Sequence, residues 1–176
     1  MAVDESRTFT PINIAILTVS DTRTPENDTS GDILASRVTD AGHTLAERTI
    51  VKDDASLLAQ QFETWIDDPE IDAIVSTGGT GLTGRDVTPE ALSRIREGRD
   101  IPGFGELFRW LSFQTIGTST VQSRACAIVA RGTYIFALPG SNGAVKDGWD
   151  GILSEQLDSR NRPCNFVELM PRLRES

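Results

Sequence analysis

The chain has 176 residues, 38% of them apolar and 24% charged, and carries a formal net charge of −9. That length suits one domain with a sizeable core. The acidic balance, with no basic cluster, excludes a nucleic-acid-binding surface, and no apolar run is long enough to span a membrane.

Residues 1–12 read as a flexible arm. Residues 13–20 are nearly continuous apolar and predict a strand covered on both faces. A polar loop follows, with Ser30 as the expected cap of a helix that Gly42 ends. Residues 43–51 alternate weakly and predict a second strand, closing in Lys52-Asp53-Asp54. Leu57, Leu58, Phe62, Trp65 and Ile66 form a helical stripe that predicts core packing. Residues 71–77 predict a third strand, which runs into Gly78, Gly79, Gly81 and Gly84 with hydroxyls between them. Thr88-Pro89-Glu90 reads as a helix start with Thr88 at the N-cap, the helix running to Glu97. Pro102-Gly103-Phe104-Gly105 reads as a tight turn and residues 106–112 as a short helix. The stretch 113–122 fits no single element. Residues 125–130 and 133–138 predict an antiparallel hairpin about Arg131-Gly132. Pro139-Gly140-Ser141 breaks it before a helix over about residues 142–157, and residues 167–176 read as a tail.

Alternating strands and helices predict a three-layer α/β/α domain over residues 13–166, with a mostly parallel sheet and one antiparallel hairpin. Ligands of such sheets sit beyond the carboxyl ends of the strands. Ser20-Asp21, Asp53-Asp54, the stretch from Thr77 to Asp86, and Pro139-Gly140-Ser141 all follow strands, so they would share one edge. The glycine stretch matches neither the P-loop nor the dinucleotide fingerprint. A strand, a glycine loop and a helix start in succession nevertheless suit an anion. Asp53, Asp54 and Asp86 have no nitrogen or sulfur ligands beside them, which suits Mg²⁺ shared with phosphate oxygens. The chemistry this favours is phosphoryl or nucleotidyl transfer, where positioning and charge neutralisation do most of the work. Arg85, Arg109 and Arg124 are the cations able to meet phosphate. Each of these residues also has a plain structural alternative: a turn or helix cap for the aspartates, an ion pair for the arginines. Cys126 and Cys164 lack metal spacing and a disulfide framework, which fits a reducing cytoplasm. His43, the single histidine, follows a helix end, so histidine catalysis is not expected. Phe104, Phe108, Trp110, Leu111 and Phe113 crowd a short stretch that suits core packing and a subunit contact equally.

Several stretches together resemble the MoaB/MogA family of molybdenum-cofactor biosynthesis. They are Thr77-Gly-Gly-Thr-Gly81, Arg85-Asp-Val-Thr-Pro-Glu90, Pro102-Gly-Phe-Gly-Glu106 and Leu138-Pro-Gly-Ser141, with Val19-Ser-Asp21, Asp28-Thr-Ser-Gly31 and Ala41-Gly-His43. The stretches 117–125 and 157–166 resemble the MoaB branch in particular. The resemblance implies the molybdopterin-binding α/β fold, assembled as a trimer or a dimer of trimers. It implies adenylylation of molybdopterin: the terminal phosphate of the pterin attacks the α-phosphate of MgATP, and a molybdate-insertion enzyme uses the product. It also implies Asp53 and Asp86 as catalytic, Mg²⁺-holding residues. The implied pterin and nucleotide contacts are Ser20, Thr77, Gly78, Gly79, Thr80, Gly81, Thr88, Gly103, Phe104, Gly105, Glu106, Ser123, Arg124, Pro139, Gly140 and Ser141. Lys52 stands where the family usually carries proline. A non-catalytic pterin carrier with the same site is the alternative, and a nucleotide pyrophosphatase of the CinA-like kind is a more distant one.

Overall fold

The computed structural model describes residues 3–173 and 175. Six strands form one mixed sheet in the order β2-β1-β3-β6-β5-β4. They are β1 (Asn13–Val19), β2 (Thr44–Val51), β3 (Ala73–Thr77), β4 (Arg99–Asp100), β5 (Cys126–Ala130) and β6 (Thr133–Leu138). β2, β1, β3 and β6 pair in parallel, and β5 and β4 complete the sheet antiparallel. Chain order reverses between β1 and β3, and the carboxyl ends of the four parallel strands lie along one edge. The hairpin turns at Arg131-Gly132, both with positive φ, as expected.

Alternation along the strands divides the core in two. Ile14, Ile16, Ala73, Val75, Tyr134, Phe136 and Leu138 face one layer of helices. That layer holds α1 (Thr29–Asp40), α4 (Pro102–Ile116), α5 (Asn142–Gly148) and α7 (Phe166–Leu169). Ala15, Leu17, Val19, Ile74, Ile135 and Ala137 face α2 (Ala55–Ile66) and α3 (Thr88–Leu92) on the other side. Of the stripe expected on α2, Leu58, Phe62, Trp65 and Ile66 are enclosed, whereas Leu57 faces outward and is exposed.

Several boundaries differ from expectation. Asp28, not Ser30, caps α1, its carboxylate accepting from the Gly31 N–H at 3.1 Å. Thr88 is the first residue of α3 rather than its cap, and α3 stops at Leu92 instead of Glu97. The Pro102–Gly105 stretch is not a turn but the first turn of the 15-residue α4. Proline is tolerated there because the first helical N–H needs no partner. Gly105 serves close contact, since a Cβ on it would lie 2.4 Å from the Ala125 carbonyl oxygen. Gly117–Gln122 is a 3₁₀ segment. After α5 the chain continues helically through a π turn (Trp149–Leu153) and α6 (Ser154–Gln156).

The stretch expected as a flexible arm is docked in its described part. Val3 bridges to Asn161, Thr10 N–H donates to Ser159 Oγ at 2.8 Å, and the Phe9 ring lies 5.2 Å from that of His43. Residues 1 and 2 lie outside the described residues. The expected tail likewise enters the core: Val167 is buried, and Met170 and Leu173 lie against the same cluster. Residues 174 and 176 of that tail are outside the described ones.

Candidate functional site

The loop after β3 is shaped by backbone crowding. Gly78 and Gly79 have φ of +105° and +67°, values that side chains with a Cβ rarely adopt. A Cβ on Gly78 would lie 2.3 Å from the Val19 carbonyl oxygen, and one on Gly140 would lie 3.2 Å from Gly78 Cα. The ends of β1, β3 and β6 therefore meet backbone to backbone, as the strand-end breaks in the sequence required. Thr77 Oγ1 donates to Pro139 O at 3.2 Å, and Thr88 Oγ1 donates to Gly78 O at 2.9 Å. These two hydroxyls, expected among the substrate contacts, are buried braces of the loop.

Asp86 folds back under the loop. Its carboxylate accepts from Thr83 N at 2.9 Å and Thr83 Oγ1 at 2.6 Å, and a Cβ on Gly81 would lie 2.8 Å from Asp86 Oδ2. Burial opposes ionisation of Asp86, but hydrogen bonds from Thr83 and the Gly81 N–H, with the nearby Arg124 charge, hold its carboxyl below the usual range. Asp53 is shifted the other way, first by burial and then by the negative charge of Asp86. Asp53, just after β2, is thus near enough to sense the charge of Asp86 in the loop after β3. Asp54 is separate from them: it caps α2, accepting from Ser56 N at 2.8 Å and Leu57 N at 3.0 Å.

A cleft of about 300 Å³ opens beside this loop. Of the expected residues it is lined by Thr80, Gly81, Ser123, Pro139 and Ser141. Thr80 Oγ1 is buried there without a hydrogen-bond partner. Ser119, Thr120 and Gln122 of the 3₁₀ segment line the same cleft, with Ser112 and Asp147. Sequence reasoning missed those residues as site residues. The run of hydroxyls in Gly117-Thr-Ser-Thr-Val-Gln122 was the available signal.

The structure does not bring the Pro102–Glu106 stretch to that cleft. The Phe104 side chain lies in the core with its ring 5.2 Å from that of Phe136, and Gly103 is exposed. Gly105 and Glu106 line a separate hollow with Asp100, Arg109 and Cys126. The three arginines expected to meet phosphate are occupied within the protein. Arg124 donates to Gly81 O at 2.7 Å and Asp86 O at 2.6 Å and pairs with Glu90. Arg109 donates to Ala125 O at 3.0 Å, and Arg85 pairs with Asp21. Ser20 Oγ accepts from Thr22 N at 3.2 Å and Arg23 N at 3.1 Å, which sets the turn after β1.

Fold and site together define a doubly wound α/β protein with a largely apolar, hydroxyl-edged cleft and a glycine loop closed by Asp86 at the switch in strand order. The family model described as "Probable molybdopterin binding domain" matches residues 15–159. The chain is 49% identical over 161 residues to "Molybdenum cofactor biosynthesis protein B" of Escherichia coli K12, covering 92% of this chain and 94% of that protein. A crystal structure of a Molybdenum cofactor biosynthesis protein B superposes with a TM-score of 0.86 at 34% identity, over 97% of this chain and 100% of that one. The tungsten cofactor synthesizing protein MoaB from Pyrococcus furiosus superposes with a TM-score of 0.72 at 30% identity, over 94% of this chain and 98% of that one. The chain belongs to the MoaB/MogA family of molybdopterin-binding domains.

Proposed function

We propose that this protein acts in molybdenum cofactor biosynthesis by binding molybdopterin and transferring to it the adenylyl group of MgATP. The observation that carries this reading is Asp86 held against Gly81 of the glycine loop, where Gly81 also lines the cleft, with Asp53 near enough to sense its charge. Among the described residues no group of three or more His, Cys, Asp or Glu side chains could hold a metal. Two carboxylates suit instead an Mg²⁺ that arrives with nucleotide and keeps phosphate and water ligands. Asp53 and Asp86 would hold that ion, whose charge offsets the phosphates.

The chain's own residues position the reactants. The cleft lined by Ser119, Ser123, Pro139 and Ser141 takes the pterin. A phosphate oxygen of the pterin attacks the α-phosphorus of ATP. The bond from α-phosphorus to the bridging oxygen breaks, and pyrophosphate leaves with the electron pair. No protein nucleophile is required. The product passes to a molybdate-insertion enzyme.

Incubation with molybdopterin and MgATP, followed by chromatography, should yield adenylyl-molybdopterin. Asp86→Asn should abolish product and leave pterin affinity within about twofold, because the Thr83 donors can still meet the amide oxygen. Pterin binding by the wild-type protein with no ATP-dependent product would leave the carrier reading in place of the enzyme. We further propose that the protein self-associates through Trp110, Phe113 and Ile116 of α4, which stay exposed while Phe104 and Phe108 of the same helix are buried. Among the described residues no helix is long and apolar enough to cross a membrane, and we assign the protein to the cytoplasm.

A further inference from the structure

A second hollow, of about 560 Å³, lies at the carboxyl ends of β1 and β2. Arg23, Arg48 and Lys52 line it, against one carboxylate, Asp21, which is itself paired with Arg85. Of the three lining cations, Arg23 and Lys52 have no carboxylate partner among the described residues. The three cations are not equivalent. Arg48 is fixed from two sides, donating to Asp32 Oδ1 at 2.7 Å and to the fully buried Asp28 at 2.8 Å. Arg23 donates from Nη1 to the Asn27 carbonyl oxygen, and its remaining N–H donors make no other hydrogen bond among the described residues. The exposed Lys52 ammonium has no ion-pair or hydrogen-bond partner among the described residues.

We propose that this hollow, through Lys52 and Arg23, binds a pyrophosphate group: the β- and γ-phosphates of the nucleotide, and then the pyrophosphate released. The inference rests on the adenylyl-transfer reading and gives that site its missing half. In-line displacement at phosphorus puts attacking and leaving oxygens on opposite sides. The pterin cleft lies at the ends of β3 and β6, and Asp86 stands next to it against Gly81. In the strand order β2-β1-β3-β6 the β1–β2 hollow lies on the other side of the sheet edge from that cleft, and the loops carrying Asp53 and Asp86 leave β2 and β3, the strands that flank β1. Lys52 and Asp53 are consecutive residues at the end of β2, yet Lys52 lines the hollow while Asp53 feels Asp86. One short stretch thus supplies a carboxylate for the metal on one side and a cation for the leaving group on the other. The arginines nearer the glycine loop are spent on carbonyls and ion pairs, so the leaving charge has to be met here.

The test is calorimetric titration of the intact protein with pyrophosphate and Mg²⁺, with orthophosphate and, separately, with molybdopterin. Lys52→Gln should weaken pyrophosphate binding about tenfold, the scale of one charge-assisted contact, and leave molybdopterin binding unchanged. Lys52→Arg should restore most of the loss, and Arg23→Gln should repeat it. Pyrophosphate affinity that ignores Lys52, pterin affinity that falls in parallel with it, or orthophosphate binding as tight as pyrophosphate binding would overturn the assignment. The readout does not need turnover. Lys52-dependent pyrophosphate binding without adenylyl-molybdopterin would sink the catalytic reading alone. Adenylyl-molybdopterin formation with Lys52-independent pyrophosphate binding would sink this site alone.

Discussion

Replacing Arg124 with glutamine separates a brace from a ligand contact. The guanidinium reaches two backbone carbonyls of the glycine loop, Gly81 O at 2.7 Å and Asp86 O at 2.6 Å, and pairs with Glu90. A hydrogen bond from a charged donor contributes a net of about 1.5–3 kcal/mol, the lower part of that range where the group is partly exposed. The Arg124 side chain is 32% exposed and Glu90 is 48% exposed. Water therefore recovers part of the carbonyl bonds, and the ion pair adds at most about 1 kcal/mol. The expected loss in Arg124→Gln is about 2–4 kcal/mol, which for a domain of this length lowers Tm by about 5–15 °C. Scanning calorimetry of ligand-free protein at matched concentration measures it, since self-association shifts Tm by mass action. Amide hydrogen exchange should quicken across residues 80–87 and little elsewhere. Arg124→Lys should recover little, because one ammonium cannot span two carbonyls and a carboxylate as the planar fork does. An Arg124→Gln protein that melts within 1 °C of wild type, by order-of-magnitude expectation, and loses pterin affinity would make Arg124 a substrate contact and refute the brace.

Gly79→Ala should cost about 1–3 kcal/mol from backbone strain alone, because φ is +67° and the new Cβ would lie 2.4 Å from Thr88 Oγ1; denaturant melts check it, and an unchanged midpoint would contradict the loop geometry. Asp28→Asn should destabilise by about 3 kcal/mol, since it leaves Arg48 without its buried partner and weakens the cap of α1; chemical unfolding at neutral pH measures this. His43 is buried and accepts the Ile12 N–H on Nδ1, and burial pushes its pKa below the usual 6.5 despite the charge of Asp158. The unfolded chain then binds the proton more tightly, so this contribution is complete above about pH 6.5 and falls away as the pH drops below it. Urea unfolding between pH 7.5 and 5.5 should show the decline, and His43→Asn should flatten it. Trp110→Ser with Phe113→Ser should lower the sedimenting mass, and an unchanged mass would move the subunit contact elsewhere on the protein.

What could be seen in the sequence follows a physical line. β1, β3 and β6 are buried on both faces, so their apolar runs announced them, and the ligand edge followed from their carboxyl ends. Asp53, Asp54 and Asp86 stand out as carboxylates in the polar breaks after β2 and β3, and the family resemblance alone singles out Asp53 and Asp86 from the three. The errors fall where a distant partner decides. Proline and two glycines look like a turn at Pro102–Gly105, but only the Ala125 carbonyl oxygen explains why a helix carries glycine there. Asp28 takes the cap of α1 because Arg48 and the Thr18 hydroxyl meet its other oxygen, and both are remote in the chain. The arginines carry the same lesson. Nothing local distinguishes Arg124, which holds the loop's carbonyls, from Lys52, which stands free beside a hollow.

Arg124 also bears on the acidity of Asp86, through the planes of the peptides it holds. Its own N–H donates to Thr80 O at 2.9 Å while its guanidinium takes Gly81 O. In a trans peptide the carbonyl and the following N–H point in opposite directions. Holding the Thr80 carbonyl on the Arg124 side therefore turns the Gly81 N–H away from it, onto the Asp86 carboxylate, which that N–H helps keep ionised. The cation thus acts on Asp86 twice, through its field and through the orientation of a backbone donor. Glutamine at this position would remove the field and keep the backbone bond at Thr80 O. The acidity of Asp86 should then weaken only in part, whereas Gly79→Ala, which disturbs the peptide planes and keeps the charge, should weaken it by the other route. Carbonyl-resonance titration of Asp86 in the two variants separates the contributions, and full loss in Gly79→Ala beside none in Arg124→Gln would mean that the peptide orientation alone sets it.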